Sequence, residues 1–280
     1  MRTIWKGAIS FGLVHVPVKL YPATERKDIK FNFLHEVCKT PVKYQRFCPT
    51  CETEVPQEQI VRGYEYEKGR YVILRDEDLE NLPMDTARSV DIVDFVDLKE
   101  IDPVFFDKSY YLTPGDGGEK AYELLKQAME KTGKIAVAKV VIRSKEALAV
   151  IRVYKGALVM ETMFYPDEIR NVELLPELQY NVKINDNEIK MAESLIGSLS
   201  EPFAPEKYHN EYRKALMEVI QAKVAGEEVE VAPRPETAKV VDLMEALKAS
   251  IQLAKEEKDS KKEPVRAGKG GKKTKTAKRA

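Results

Sequence analysis

The chain's three cysteines lie within fourteen positions of one another, in the order His35-x2-Cys38-x9-Cys48-x2-Cys51. Thiolates and imidazoles are the donors a zinc ion takes, and a Cys-x2-Cys turn offers two thiolates to one tetrahedral ion. Cys48-Pro49-Thr50-Cys51 is such a turn. Cys38 and His35, one loop earlier, complete a Cys3His set, so the spacing predicts a structural zinc site with no open coordination position. Reduced thiols at a turn, beside a polar loop histidine, are the plainer alternative that the sequence leaves open.

A second group of side chains points to phosphate. Lys134, Lys139, Arg143, Lys145, Arg152 and Lys155 lie on or between β-branched runs, inside a block, residues 120–160, of net charge +6. Residues 61–119 sum to −8 and 161–260 to −9, while residues 1–60, which include Lys43 and Arg46, sum to +3. Clustered Lys and Arg within an acidic body mark an electrostatic footprint for a polyanion, although single surface cations are ordinary. Arg143 and Arg152 are the best suited, because guanidinium engages phosphate oxygens bidentately. No base-reading motif is visible, so contact is expected with a nucleic-acid backbone. The last twenty residues carry nine basic side chains and one acidic, among them Lys269, Lys272, Lys273, Lys275, Lys278 and Arg279. That +8 is hidden in a chain whose 46 basic and 46 acidic residues sum to zero.

No catalytic set emerges. Asp91, Asp94, Asp97, Glu100 and Asp102 have no histidine among them and no carboxylate metal spacing. Gly115-Asp116-Gly117-Gly118 lacks the Lys-Ser/Thr of a phosphate loop and reads as a turn. Ser10 and His15 have no third partner.

The elements that position these residues change type along the chain. Ala8–Phe11, Leu13–Leu20, Tyr71–Leu74 and Val90–Val96 read as strands. Glu119–Lys131 takes helical period, with Ala121, Leu124, Leu125, Ala128 and Met129 on one face and Gly133 after it. Three short strands follow, 135–143, 147–154 and 157–164, joined by turns at Ser144-Lys145-Glu146 and Lys155-Gly156, a spacing expected of a barrel or sandwich. Beyond Pro176 the pattern is helical, with stripes at Ile189, Ala192, Ile196, Leu199 and at Tyr212, Leu216, Val219, Ile220. A Pro-containing linker, 227–236, precedes a helix over 237–255 whose apolar side carries Val240, Met244 and Leu247. That face could return to the body or receive a partner's groove. Residues 259–280 have no core-forming content and are expected to be disordered. With no apolar start segment, no membrane-length run and an odd cysteine count, the expectation is a soluble intracellular protein.

Several stretches resemble the bacterial Ku proteins: the opening Trp5-Lys6-Gly7-Ala8-Ile9-Ser10-Phe11-Gly12-Leu13-Val14-His15-Val16-Pro17-Val18, then Val141-Ile142-Arg143, Ala149–Tyr154 and Tyr165-Pro166-Asp167-Glu168-Ile169-Arg170. Glu201-Pro202-Phe203 through Tyr208, Tyr212 and Leu216, and Val241-Asp242-Leu243-Met244-Glu245-Ala246-Leu247, continue the likeness in order to about residue 250. The resemblance implies a β-rich α+β fold: a barrel core with a DNA-encircling bridge over 1–180, a helical arm over 181–230, a linker and partner-docking helix over 231–258, and the basic tail. It further implies a non-enzymatic homodimer that rings double-stranded DNA ends in end-joining repair at the nucleoid, requires no cofactor and engages an ATP-dependent ligase of the ligase D type. A protein that packages DNA through the tail, regardless of ends, is the alternative.

Overall fold

The computed structural model describes residues 1–75, 77–78, 89–142, 145–226 and 243–260. Two units are distinguished, Met1–Leu174 and Leu175–Ala280.

The first unit is organised by a closed seven-stranded barrel. Its strands are β1 (Trp5–Phe11), β2 (Val14–Pro22), β7 (Ser89–Val96), β8 (Phe106–Pro114), β9 (Ile135–Ile142), β10 (Lys145–Tyr154) and β11 (Ala157–Met163). Around the barrel they run β1-β2-β8-β11-β10-β9-β7, and β7 closes it by pairing parallel to β1, from Ala8↔Ser89 to Ser10↔Asp91. The barrel is thus the outcome of the two architectures that strand spacing left open. Alternation decides which side chains enter it: Val16, Val18 and Leu20 from β2, Ala136, Ala138 and Val140 from β9, Ala149 and Ile151 from β10, Leu158 and Met160 from β11, all essentially inaccessible. Small residues beside large ones fill the narrow interior, and each large aliphatic buried there contributes about 1.5–3 kcal/mol relative to exposure.

Helix α1 (Glu119–Thr132) packs on β2, β8 and β10. Its buried residues are Tyr122, Leu125 and Met129, whereas Leu124 and Ala128, expected on the inner face, are exposed. The helical stripe is therefore rotated, because the tyrosine carries a polar function inward. The Tyr122 hydroxyl donates to the Leu112 carbonyl and accepts from the Leu158 amide, both at 2.8 Å, tying β8 to β11. The glycine-rich turn before α1 lies against Pro17: a Cβ on Gly115 would sit 2.9 Å from the Pro17 Cβ, and one on Gly118 2.8 Å from its carbonyl oxygen.

Outside the barrel wall a second cluster forms from Ile135, Val150 and Met163, covered by Ile101 and Phe105 of the β7–β8 connection and by Phe106 at the start of β8. Lys145 and Glu146 belong to β10, with Lys145 opposite Ile142, rather than to the turn expected there.

Between β2 and β7 the chain leaves the barrel. The described part of this excursion, residues 23–75, carries two hairpins, β3 (Phe47–Cys48) with β4 (Thr53–Glu54) and β5 (Arg62–Glu67) with β6 (Arg70–Leu74). No side chain in it is buried.

The second unit is helical. Helix α2 (Asp186–Leu199) starts in a capping box formed by Asn185 and Glu188. Helix α3 (Glu211–Ala225) starts on Asn210 and ends at left-handed Gly226. Helix α4 (Leu243–Ser260) packs on α2. The Phe203 and Tyr208 rings stack at 5.7 Å between α2 and α3. Among the described residues no helix is long and apolar enough to cross a membrane.

Candidate nucleic-acid interface and cysteine cluster

The strand register scatters the basic block of residues 120–160 instead of gathering it. Ala136 pairs with Ile151, and Ile142 with Lys145, so Lys134 and Lys155 lie at one end of the meander and Lys145 at the other. Lys139 and Arg152 occupy outward positions between them, along strands that span roughly 25 Å. Two of these cations also lie beside an acid from the neighbouring acidic segment. Lys134 Nζ donates to Asp97 Oδ2 at 2.8 Å, which raises the lysine's pKa. Lys139 sits directly opposite Asp91 in the β7–β9 register.

Arg152 is held most firmly. Its Nε and Nη2 donate to the two carboxylate oxygens of Glu161 at 2.9 and 2.7 Å, a bidentate fork across β10 and β11. The guanidinium also lies over the Tyr154 ring at 5.4 Å, and hydrogen bonding to Glu161 raises its pKa further. The side chain is only 25% accessible. A fork already filled by a carboxylate has spent the geometry a phosphate would use. Lys155 occupies the β10–β11 turn with φ +47 and places its Nζ 5.4 Å from the same ring. Arg143 and the tail residues Lys269, Lys272, Lys273, Lys275, Lys278 and Arg279 lie outside the described residues.

Two further acids of the acidic segment accept from the backbone. Asp102 accepts from the Val104 amide at 2.9 Å, and Glu100 accepts from the Asp97 amide at 2.9 Å, so both cap short turns.

Lys43 and Arg46 stand differently. Both are exposed in the excursion, flanking Tyr44, which is 85% accessible. The excursion adds exposed Phe31, Phe33, Tyr64, Tyr66 and Tyr71. Cations interleaved with open aromatic faces suit a nucleic-acid backbone and its sugars. Sequence reading passed over these aromatics; the available signal was Lys43-Tyr44-Gln45-Arg46 and the alternation Tyr64-Glu65-Tyr66.

The thiol donors occur as two pairs. His35 Nδ1 lies 3.0 Å from Cys38 Sγ, and hydrogen bonds from Thr40 and then His35 lower the Cys38 thiol to about 7. Cys48 is lowered by the Cys51 and Thr50 amides, while Cys51, hydrogen-bonded to Cys48, is raised. All three cysteines are free, and among the described residues no three His, Cys, Asp or Glu side chains converge on one point.

On α4, Met244 and Leu247, expected as docking anchors, are half-buried positions of a helix packed on α2, together with Ala246 and Ile251. The apolar face expected to await a partner is met by the chain's own helix. Val240 lies outside the described residues.

A closed barrel with a coreless basic and aromatic excursion between its second strand and the strand that closes it defines a scaffold class, a barrel that presents an arm. The family model for the Ku70/Ku80 beta-barrel domain matches residues 10–191, and the chain belongs to the Ku family. It is 57% identical over 256 residues to the non-homologous end joining protein Ku of Symbiobacterium thermophilum, covering 91% of this chain and 63% of that protein, under two thirds of its length. The proteins of the same name from Heliobacterium modesticaldum and Bacillus subtilis are 51% and 48% identical, over 94% and 90% of this chain and 96% and 82% of their own.

Proposed function

We propose that the chain is a non-enzymatic double-stranded DNA end-binding clamp of non-homologous end joining. Two copies form a ring that threads onto ends and recruits an ATP-dependent ligase of the ligase D type, in the cytoplasm at the nucleoid. The observation that carries this reading is the excursion: some fifty residues rich in tyrosine and phenylalanine leave the barrel and bury nothing on their own chain. Such a segment gains stability by covering something else, and a second copy and a DNA duplex are the two surfaces that the family's named activity supplies. Leu174, Leu175 and Leu178, at 77%, 51% and 54% accessibility, are further candidates for the contact between copies.

The DNA contacts are ranked by exposure and by pairing with acids. Lys43 and Arg46 become the leading phosphate contacts in the described chain, with Lys145, Lys155 and Lys139 behind them. Arg152 is assigned to holding the barrel. Ligase recruitment is assigned to the region after the helical arm, with Met244 and Leu247 available once α4 leaves α2.

A ring that loads by threading distinguishes topology, not sequence. Full-length protein should bind linear duplex tightly and covalently closed circles little, at moderate salt and for any base composition. Equal binding to both forms would sink the reading. Loss of nearly all binding on deletion of residues 261–280 would favour packaging through the tail.

A further inference from the structure

We infer that His35, Cys38, Cys48 and Cys51 close on a single zinc ion, which serves as the structural centre of the excursion. The inference stands independently of DNA binding.

The two halves of the site share one local geometry. In each, a donor is followed three residues later by a cysteine, and the next residue turns left-handed: Lys39 at φ +56 after Cys38 and Glu52 at φ +52 after Cys51. Side-chain-bearing residues seldom hold that conformation. Among the described residues only one other does, Lys155 in the β10–β11 turn. Both turns are fixed by backbone pairing. The Lys39 amide donates to the His35 carbonyl at 2.8 Å, and Leu34 bridges to Pro41. The second turn is closed by β3 and β4, Cys48 opposite Thr53.

Each turn therefore presents two donors together. Nine residues, 39–47, join them, a loop short enough to close at little entropic cost. The ion itself would draw the two pairs together, as where metal binding completes a site. Three thiols and one imidazole select zinc over the hard cations, and four protein ligands make the site structural.

The physical need is as plain as the donor set. A segment of this length with no buried side chain has no hydrophobic core of its own, and small coreless modules are held by disulfides or metal. The cysteines form no disulfide. A metal ion held by these four donors is such a staple.

The test is elemental analysis of full-length protein, purified without chelator and equilibrated with zinc chloride before gel filtration. One zinc per chain is expected. Cys48→Ser and Cys51→Ser should each abolish retention, Cys38→Ser should lower it at least tenfold, and His35→Ala should speed release to a chromophoric chelator. Cobalt substituted for zinc should give the absorption of a tetrahedral thiolate site. Zinc below about a tenth of an equivalent, in protein whose barrel still melts cooperatively, overturns the inference. So does a full equivalent that survives both Cys38→Ser and Cys48→Ser, or half an equivalent, which would place the ion between two copies.

Discussion

The barrel and the excursion draw on the same kinds of residue and treat them oppositely. In the barrel Leu20, Leu112, Ile151, Leu158 and Met160 are fully inaccessible; in the excursion Phe31, Phe33, Tyr64, Tyr71 and Ile73 are each more than half exposed. The difference lies in closure. Strand β7 returns to β1, so every inward position of the barrel faces another wall, whereas the two-stranded hairpins of the excursion have no second layer to face. Burial is a property of the topology that receives a side chain, and the excursion's apolar surface is left for contacts made outside the chain.

The largest effect that would test this contrast is a cavity in the barrel. Leu112→Ala or Ile151→Ala should cost about 2–5 kcal/mol in denaturant unfolding, while Tyr64→Ala should stay within roughly 0.5 kcal/mol when protein is dilute enough to be monomeric. A comparable loss for Tyr64→Ala under those conditions would show that the excursion packs on its own chain after all.

Next in size is a change in DNA binding that leaves the barrel alone. Lys43→Glu with Arg46→Glu should weaken linear-duplex binding by more than tenfold. It should also flatten the log–log salt dependence by about 3.6 for a ring of two copies, since two phosphate contacts are lost from each copy and each contributes about 0.9. An unchanged slope would return the principal phosphate contacts to the barrel and its ends.

Third is Arg152→Ala, expected to cost about 1–2 kcal/mol of stability, because it leaves Glu161 short of its partner in a partly buried position. Its effect on the salt slope should be small. A large slope change with little destabilisation would restore Arg152 as a phosphate ligand.

These assignments also show what the sequence made legible. The strands β2, β9, β10 and β11 were legible as β-branched runs between turns, but their inward residues were not, since β9 reads Ile-Ala-Val-Ala-Lys-Val-Val-Ile with no polar alternation to mark a face. Helical period locates the helix over 119–131 but sets its inner face through Leu124, whereas Tyr122 faces inward. A tyrosine enters a core only when both roles of its hydroxyl are met, here by Leu112 and Leu158 from strands ten and thirty-six residues away. The basic block at 120–160 is less segregated in space than along the chain for a related reason. Summing charge along the chain separates Asp91 and Asp97 from Lys139 and Lys134, and the sheet puts them side by side. The excursion's exposure was illegible because hydrophobic content counts residues and says nothing of whether a second wall exists.

The smallest effect concerns pH and belongs to the barrel's side of the comparison. The Tyr165 hydroxyl donates to Glu146 Oε1 at 2.7 Å. Desolvation first, then this bond, and then the charges of Glu146, Glu168 and Asp167 push its phenol up to about 12 from an ordinary 10. A raised phenol favours the protonated folded state. Its contribution is therefore fully present below about pH 10 and is lost as pH rises through about 12. Tyr165→Phe should cost less than about 1 kcal/mol at neutral pH and should make the alkaline fall in stability shallower over that window. The Lys43→Glu, Arg46→Glu protein should keep the wild-type fall, since neither substitution touches this bond. If the excursion variant flattened the alkaline profile instead, the two regions would be energetically coupled, and the barrel could no longer be treated as a finished core that carries an unfinished arm.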